Sequence, residues 1–225
     1  DESSPRWSPD GQTILFGRYV GSGQTPMLMN PDGSNERSIP LPADQVDYYG
    51  EGTWAPDGTK IAFTGFADGS YEYDLFTIDV DGANLTNLTD SFDNDAAGPA
   101  WAPDGAQIVF RIEEPEIDML ILDVASGQAT PLNDEPTAGY YFDWSPDGAL
   151  ILFTDEGGAN RGLHVIPPAG GESELRVPGG FYGRWSADGA NLVFSGENGG
   201  IYRSAADGSG LTPVDPSESA WEADW

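Results

Sequence analysis

Cysteine is absent from the 225 residues, lysine occurs only at Lys60, and histidine only at His164. The first absence excludes disulfide frameworks, thiolate metal sites and thiol nucleophiles. One histidine and no cysteine also exclude a histidine-based zinc site. A Ser–His–Asp triad would have to use His164, yet no Gly-x-Ser-x-Gly elbow surrounds any serine. Lys60 follows a turn and belongs to no Gly-x₄-Gly-Lys phosphate loop. No apolar run approaches the roughly 18 residues that a bilayer-spanning helix needs, so membrane insertion is not expected.

Cations are scarce in general. Nine Lys and Arg face 38 Asp and Glu, for a formal net charge of −29. A chain of this balance has no basic face with which to hold nucleic acid or an anionic membrane. It repels itself strongly at low ionic strength, and salt screens that repulsion. A high-salt habitat accounts for the excess; a calcium-rich exterior and a merely acidic surface are the rival explanations.

What the sequence does have is a repeat. Trp7-Ser-Pro-Asp-Gly11 returns as Trp54-Ala-Pro-Asp-Gly58, Trp101-Ala-Pro-Asp-Gly105, Trp144-Ser-Pro-Asp-Gly148 and Trp185-Ser-Ala-Asp-Gly189, and Trp225 stands where a sixth copy would begin. Successive tryptophans are 47, 47, 43, 41 and 40 residues apart. Units of this length that cannot bury their apolar faces alone stack on their neighbours, so residues 1–225 are read as one domain. The 30 Gly and 18 Pro suit short strands and tight turns far better than long helices.

The second repeat shows the internal plan. Glu51 to Ala55 is a short strand that ends on Trp54, and Pro56-Asp57-Gly58 turns the chain. Lys60 to Thr64 and Tyr73 to Asp79 are further strands, Asp81-Gly82 makes a hairpin, and Leu85 to Leu88 is the fourth strand. Four antiparallel strands per unit, repeated radially, describe a propeller blade; a β-solenoid is the alternative, although its coils are usually shorter.

The pattern W-[SA]-P-D-G-x₂-I-x-F, followed by D-G-x-N and L-T, resembles the TolB-like class of WD-type propeller repeats over essentially the whole chain. The resemblance implies that the five tryptophans end the innermost strands and pack between blades. It also implies that Asp10, Asp57, Asp104, Asp147 and Asp188 are structural. Ala187 departs from it where proline is expected, which should weaken that turn. The fold class is therefore all-β, a propeller of five four-stranded antiparallel blades plus one extra C-terminal strand, Ala220 to Trp225. Either five blades close and that strand is spare, or the chain is a piece of something larger whose missing blade another chain could supply. The closed five-bladed ring is the reading preferred here.

Function is expected to lie in binding and not in catalysis. Paired carboxylates could in principle hydrolyse glycosides, but acidic residues are too abundant for any chosen pair to mean something. The segments before each Trp, read as connections between blades at the channel mouth, are unusually aromatic. Tyr48, Tyr49, Tyr140, Tyr141, Phe181, Tyr182 and Trp221, with Arg184 as a lone cation, are the candidate ligand-binding residues. Strand alternation would send neighbours such as Tyr140 and Tyr141 to opposite faces. The partner expected is a protein, with carbohydrate as the alternative and self-assembly through the C-terminal strand as a third reading. Calcium is the one cofactor considered, at Asp90, Asp93 and Asp95, with solvated acidic loops as the plainer explanation. By the resemblance, the compartment is periplasmic or extracellular. The sequons at Asn84 and Asn87 are read as structure.

Overall fold

A computed structural model describes residues 2–20, 23–42, 45–46, 50–67, 69–70, 72–92, 94–113, 118–133 and 139–217. Twenty strands form five four-stranded antiparallel sheets, each the blade unit expected from the repeat. Blade 1 holds β1 (Glu2–Trp7), β2 (Ile14–Val20), β3 (Gly23–Met29) and β4 (Arg37–Ser38). Blade 2 holds β5 (Gly50–Trp54), β6 (Lys60–Phe66), β7 (Tyr73–Asp79) and β8 (Thr86–Asn87). Blade 3 holds β9 (Ala96–Trp101), β10 (Gln107–Ile112), β11 (Asp118–Asp123) and β12 (Gln128–Pro131). Blade 4 holds β13 (Gly139–Trp144), β14 (Ile151–Asp155), β15 (Gly162–Ile166) and β16 (Glu174–Pro178). Blade 5 holds β17 (Gly180–Trp185), β18 (Asn191–Gly196), β19 (Ile201–Ala205) and β20 (Thr212–Asp215). Strand order follows chain order in every sheet, as successive hairpins require. The proposed sixth strand, Ala220 to Trp225, lies outside the described residues.

Two compact units emerge, Asp1–Glu116 with Leu122–Ala129, and Ile117–Ile121 with Thr130–Trp225. In the first, a core between blades 1 and 2 brings together Leu15, Leu28, Ile39, Trp54, Ile61, Phe63, Phe76 and Ile78. In the second, Leu152, Leu163, Val165, Val177, Trp185, Leu192 and Phe194 do the same between blades 4 and 5. Trp54 and Trp185 thus pack between blades, and Trp54 also donates its indole N–H to the Arg6 carbonyl at 3.2 Å. Trp7, by contrast, is 38% exposed.

The repeated turn shows what a serine in place of alanine after Trp adds. In every copy the glycine sits at φ near +70°, 66° at Gly11 and 73° at Gly105, which an L side chain adopts only at a cost. In blade 2, Asp57 Oδ1 accepts the Thr59 N–H at 2.9 Å, and Gly58 N–H reaches the Ala55 carbonyl. Where serine follows Trp, a further clasp appears. Ser145 Oγ donates to Asp147 Oδ1 at 2.7 Å and accepts the Leu150 N–H at 2.9 Å. Ser8–Asp10 and Ser186–Asp188 repeat the arrangement. The turn at Ala187 is intact, with Gly189 N–H on the Ser186 carbonyl at 2.8 Å. Loss of the proline has not opened it, because serine, aspartate and glycine carry its hydrogen bonds.

One recurrent feature departs from regular alternation. The register between first and second strands shifts between Ser3 and Arg6, Gly50 and Thr53, Tyr140 and Asp143, and Phe181 and Arg184, and likewise in blade 3. Two residues therefore oppose one, a β-bulge. The single residue opposite is always the phenylalanine of the I-x-F segment: Phe16, Phe63, Phe110, Phe153 or Phe194. Three residues before Trp, the bulged strand holds positive φ at Ser4 (51°), Gly98 (65°), Tyr141 (57°) and Tyr182 (55°).

Candidate functional site

The bulge decides where the candidate aromatics go. Tyr140, Tyr141, Phe181 and Tyr182 lie within β13 and β17 and not in connections between blades, which corrects the reading from sequence. Regular alternation would separate Tyr140 from Tyr141. The positive φ of Tyr141 breaks it, and the two rings lie 6.2 Å apart, centroid to centroid. Tyr182, at the same bulge position one blade on, meets Tyr141 at 4.2 Å with the planes inclined by 54°. The three half-buried tyrosines make one cluster on the end of blades 4 and 5 remote from the Pro146-Asp147-Gly148 and Ala187-Asp188-Gly189 turns.

Beneath the cluster the backbone is latched across the two blades. Tyr182 N–H, freed by the bulge, donates to Thr154 Oγ1 at 3.2 Å. Gly98 N–H and Thr64 Oγ1 repeat this bond between blades 2 and 3 at 3.2 Å. Asp143 Oδ2 accepts the Trp185 N–H at 2.6 Å. Arg184 is buried, and its Nη1 faces the carbonyls of Tyr141, Phe142 and Gly183 at 3.4, 3.5 and 3.0 Å. Its charge is spent on carbonyls that the bulge exposes, so it supports the tyrosines from below. Phe181 is also buried, under the Arg161 guanidinium at 5.0 Å. Tyr48, Tyr49 and Trp221 lie outside the described residues. Apolar residues missed by the sequence reading crown the corresponding end of the first unit. Tyr19 and Val20 are 53% and 61% exposed beside the β2–β3 tip, and Phe66 stacks on Tyr73 at 4.3 Å beside the β6–β7 tip.

The calcium cluster divides. Asp95 Oδ1 is taken by the Tyr73 N–H at 2.6 Å, Asp90 is exposed, and Asp93 lies outside the described residues. Among the described residues no group of three or more His, Cys, Asp or Glu is arranged to hold a metal. His164 is a strand residue, as read. It is buried, its ring 5.6 Å from that of Phe153 and tilted by 32°, with Nε2 on the Asn160 carbonyl at 2.8 Å and Nδ1 near Ser173 Oγ at 3.3 Å. Asn87 and Thr89 both bond Asp74, so the second sequon is part of the blade 2 scaffold. No helix among the described residues is long and apolar enough to cross a membrane.

Known proteins share this architecture. A TolB from Acinetobacter baumannii superimposes with a TM-score of 0.76 at 19% identity, covering 92% of this chain and 52% of that one. The β-propeller domain of the Trilobed protease from Pyrococcus furiosus gives a TM-score of 0.65 at 16% identity, covering 96% and 71%. At these identities the likeness is one of fold, and the fold serves a protease as well as TolB. In sequence, the Tol-Pal system protein TolB of Gluconobacter oxydans (strain 621H) is 35% identical over 86 residues, 36% of this chain and 18% of that protein. The chain thus spans about half of the solved TolB and matches a smaller part of the curated one. The family model of the TolB beta propeller domain matches residues 51–213, and to that family this chain belongs.

Proposed function

We propose that the chain is a non-catalytic scaffold that binds a protein through the end of the blades carrying Tyr140, Tyr141 and Tyr182. The observation that carries this reading is the tyrosine cluster itself. Two of its members sit at positive φ, where a bulky L residue is strained, and such strain persists where surrounding structure holds it for a purpose. Tyrosines offer large, stiff contact area with a polar tip, the composition of interface anchors. Family membership agrees, since the Gluconobacter relative is named as a Tol-Pal system protein. Periplasm or cell exterior is the matching compartment, with a high-salt medium suited to the charge of −29. Nothing about the titratable groups around the cluster favours catalysis over this: Arg184 and Asp143 are both committed to backbone.

The test is affinity capture from a cell-envelope fraction in high salt, followed by titration of the purified partner against wild type and a Tyr141→Ser/Tyr182→Ser double variant. The expected result is a loss of affinity of at least a hundredfold, about 2.7 kcal/mol. Undiminished affinity in a folded double variant would falsify the assignment.

A further inference from the structure

The tyrosine cluster does not stand alone at its end of the blades. In the same unit β14 ends there on Asp155, exposed Glu156 comes next, and exposed Glu197 follows β18. Asp155 pairs with Gly139, and Gly196 with Gly180, so these carboxylates lie level with the residues just before Tyr140 and Phe181. Asp118 opens β11 at this end as well. Met119, next along, occupies the space that a Cβ on Gly139 would need, which sets Asp118 beside the start of β13.

Few of these charges meet a cation. Burial pushes the half-buried Asp118 carboxyl above the ordinary aspartate value, opposed only by its hydrogen bond from the Met119 N–H. Asp155 accepts the Gly157 N–H at 2.7 Å. Arg161, which precedes β15, is the one cation at these strand tips among the described residues. Its guanidinium lies 5.0 Å from the centre of the Phe181 ring, with Glu197 at 3.6 Å. That contact is the local pattern in miniature: a guanidinium over an aromatic ring with a carboxylate beside it.

Electrostatics then selects the occupant. The face of an aromatic ring is the negative side of its quadrupole, so rings and carboxylates attract the same cation. An anionic segment would be repelled by these carboxylates, and a second copy, also at −29, would bring the same ones. A neutral apolar segment would strip water from the carboxylates without pairing them.

We propose that the partner docks a basic segment on this end, its arginine or lysine side chains lying over Tyr140, Tyr141 and Tyr182 and pairing with the carboxylates of Asp118, Asp155, Glu156 and Glu197. A basic segment presupposes the protein-binding role proposed above for the same end, and adds the chemistry of what binds there.

The probe is a short fluorescein-labelled peptide of alternating glycine and arginine, compared with its citrulline counterpart, which keeps the shape and loses the charge. Anisotropy titrations of the whole chain are run in about 0.5 M sodium chloride, where attraction to distant charges is screened. The arginine peptide is expected to bind saturably and at least tenfold more tightly than the citrulline one. Tyr141→Ser/Tyr182→Ser, which removes no charge, should weaken it at least tenfold, and Glu156→Gln/Glu197→Gln at least fivefold. Glu172→Gln/Glu174→Gln removes the same charge at the opposite end of blade 4 and should change the affinity less than twofold. Both glutamine pairs alter exposed side chains, so they keep the test available where the tyrosine variant fails to fold.

Citrulline peptide bound as tightly as arginine peptide overturns the proposal. Equal weakening by the two glutamine pairs does so too, since the attraction would then belong to the whole charge. Undiminished binding in the folded tyrosine variant is a third refutation. The captured partner separates this proposal from the broader one. A partner lost in the tyrosine variant and displaced by excess arginine peptide supports both; one lost there but undisturbed by the peptide leaves the protein-binding surface standing and removes only its basic specificity.

Discussion

Tyr141 and Tyr182 meet with ring centroids 4.2 Å apart, and each occupies the positive-φ position of its own β-bulge, at 57° and 55°. The contact joins neighbouring blades at equivalent points of the repeat, three residues before Trp144 and Trp185. Its geometry sets two opposing effects: burial of the rings favours the folded state, and left-handed backbone disfavours it. Glycine removes both, alanine only the first. Tyr182→Gly is therefore expected to be more stable than Tyr182→Ala by about 1 kcal/mol, measured as the difference in urea midpoints multiplied by a common m-value. An alanine variant as stable as the glycine one would mean that the strain is not real.

Thr154 is fully buried and offers Oγ1 to the Tyr182 N–H at 3.2 Å. Thr154→Val keeps the shape and removes the acceptor, which leaves a buried N–H unsatisfied. The expected cost is about 1–3 kcal/mol, and Thr154→Ser should recover most of it. Thr64→Val should behave alike through Gly98, since the bond is the same. Chemical denaturation of the four proteins decides the matter, and a neutral valine substitution at both sites would count against the latch.

The contrast between these two threonines and the tyrosines above them shows what could be read from sequence. The Trp-x-Pro-Asp-Gly turns, the I-x-F strands and the hairpins were legible because each rests on local chemistry: fixed φ at proline, an aspartate that accepts the N–H two residues on, glycine at positive φ. The bulge was not, because only Gly98 hints at left-handed backbone, and Ser4, Tyr141 and Tyr182 carry no such mark. Alternation then misplaced Tyr140 relative to Tyr141. Arg184 looked like a free cation because two of its acceptors, the carbonyls of Tyr141 and Phe142, lie about 42 residues away in sequence, beyond the Gly183 carbonyl beside it.

The serine clasp has a defined pH dependence. The Ser145 hydroxyl, with the Ala149 N–H, holds the Asp147 carboxyl below the ordinary aspartate value of 3.8. A carboxyl depressed in the folded state stabilises it fully above the unfolded pKa and loses that contribution as pH falls through the folded one. Ser145→Ala should therefore be less stable than wild type at pH 7, with the gap closing as the pH is taken well below 3.8. Parallel urea titrations at neutral and acid pH measure it. A gap that stays constant with pH would assign the serine's contribution to its bond with the Leu150 N–H alone.

Charge makes a prediction of its own. With a formal net charge of −29, from 38 Asp and Glu against nine Lys and Arg, self-repulsion is a property of the whole chain. Raising ionic strength shortens the Debye length from about 30 Å at 0.01 M to about 3 Å at 1 M. The melting temperature should thus rise steeply over the first few hundred millimolar of salt, and equally for sodium and potassium chloride. A rise with calcium chloride well beyond the matched ionic strength would instead point to bound cations, and so reopen Asp90, Asp93 and Asp95.

Ala187 is the one place where the repeat lacks its proline, and the turn around it is otherwise unaltered. Ser186 Oγ donates to Asp188 Oδ1 at 2.6 Å, as Ser145 does to Asp147 at 2.7 Å beside Pro146. Gly189 N–H reaches the Ser186 carbonyl at 2.8 Å, matching Gly148 and Ser145. Ala187 is exposed, and no hydrogen bond among the described residues uses its N–H. Proline would meet a backbone already shaped for it, while narrowing the unfolded ensemble. Ala187→Pro is therefore expected to stabilise by about 0.4–1 kcal/mol, read from the urea midpoint at an unchanged m-value. Destabilisation would show that the backbone at 187 differs from that at Pro146 despite the shared hydrogen bonds. Because the stabilising effect acts through the unfolded chain, the variant should leave the binding properties of the tyrosine cluster at the other end of the blades unchanged.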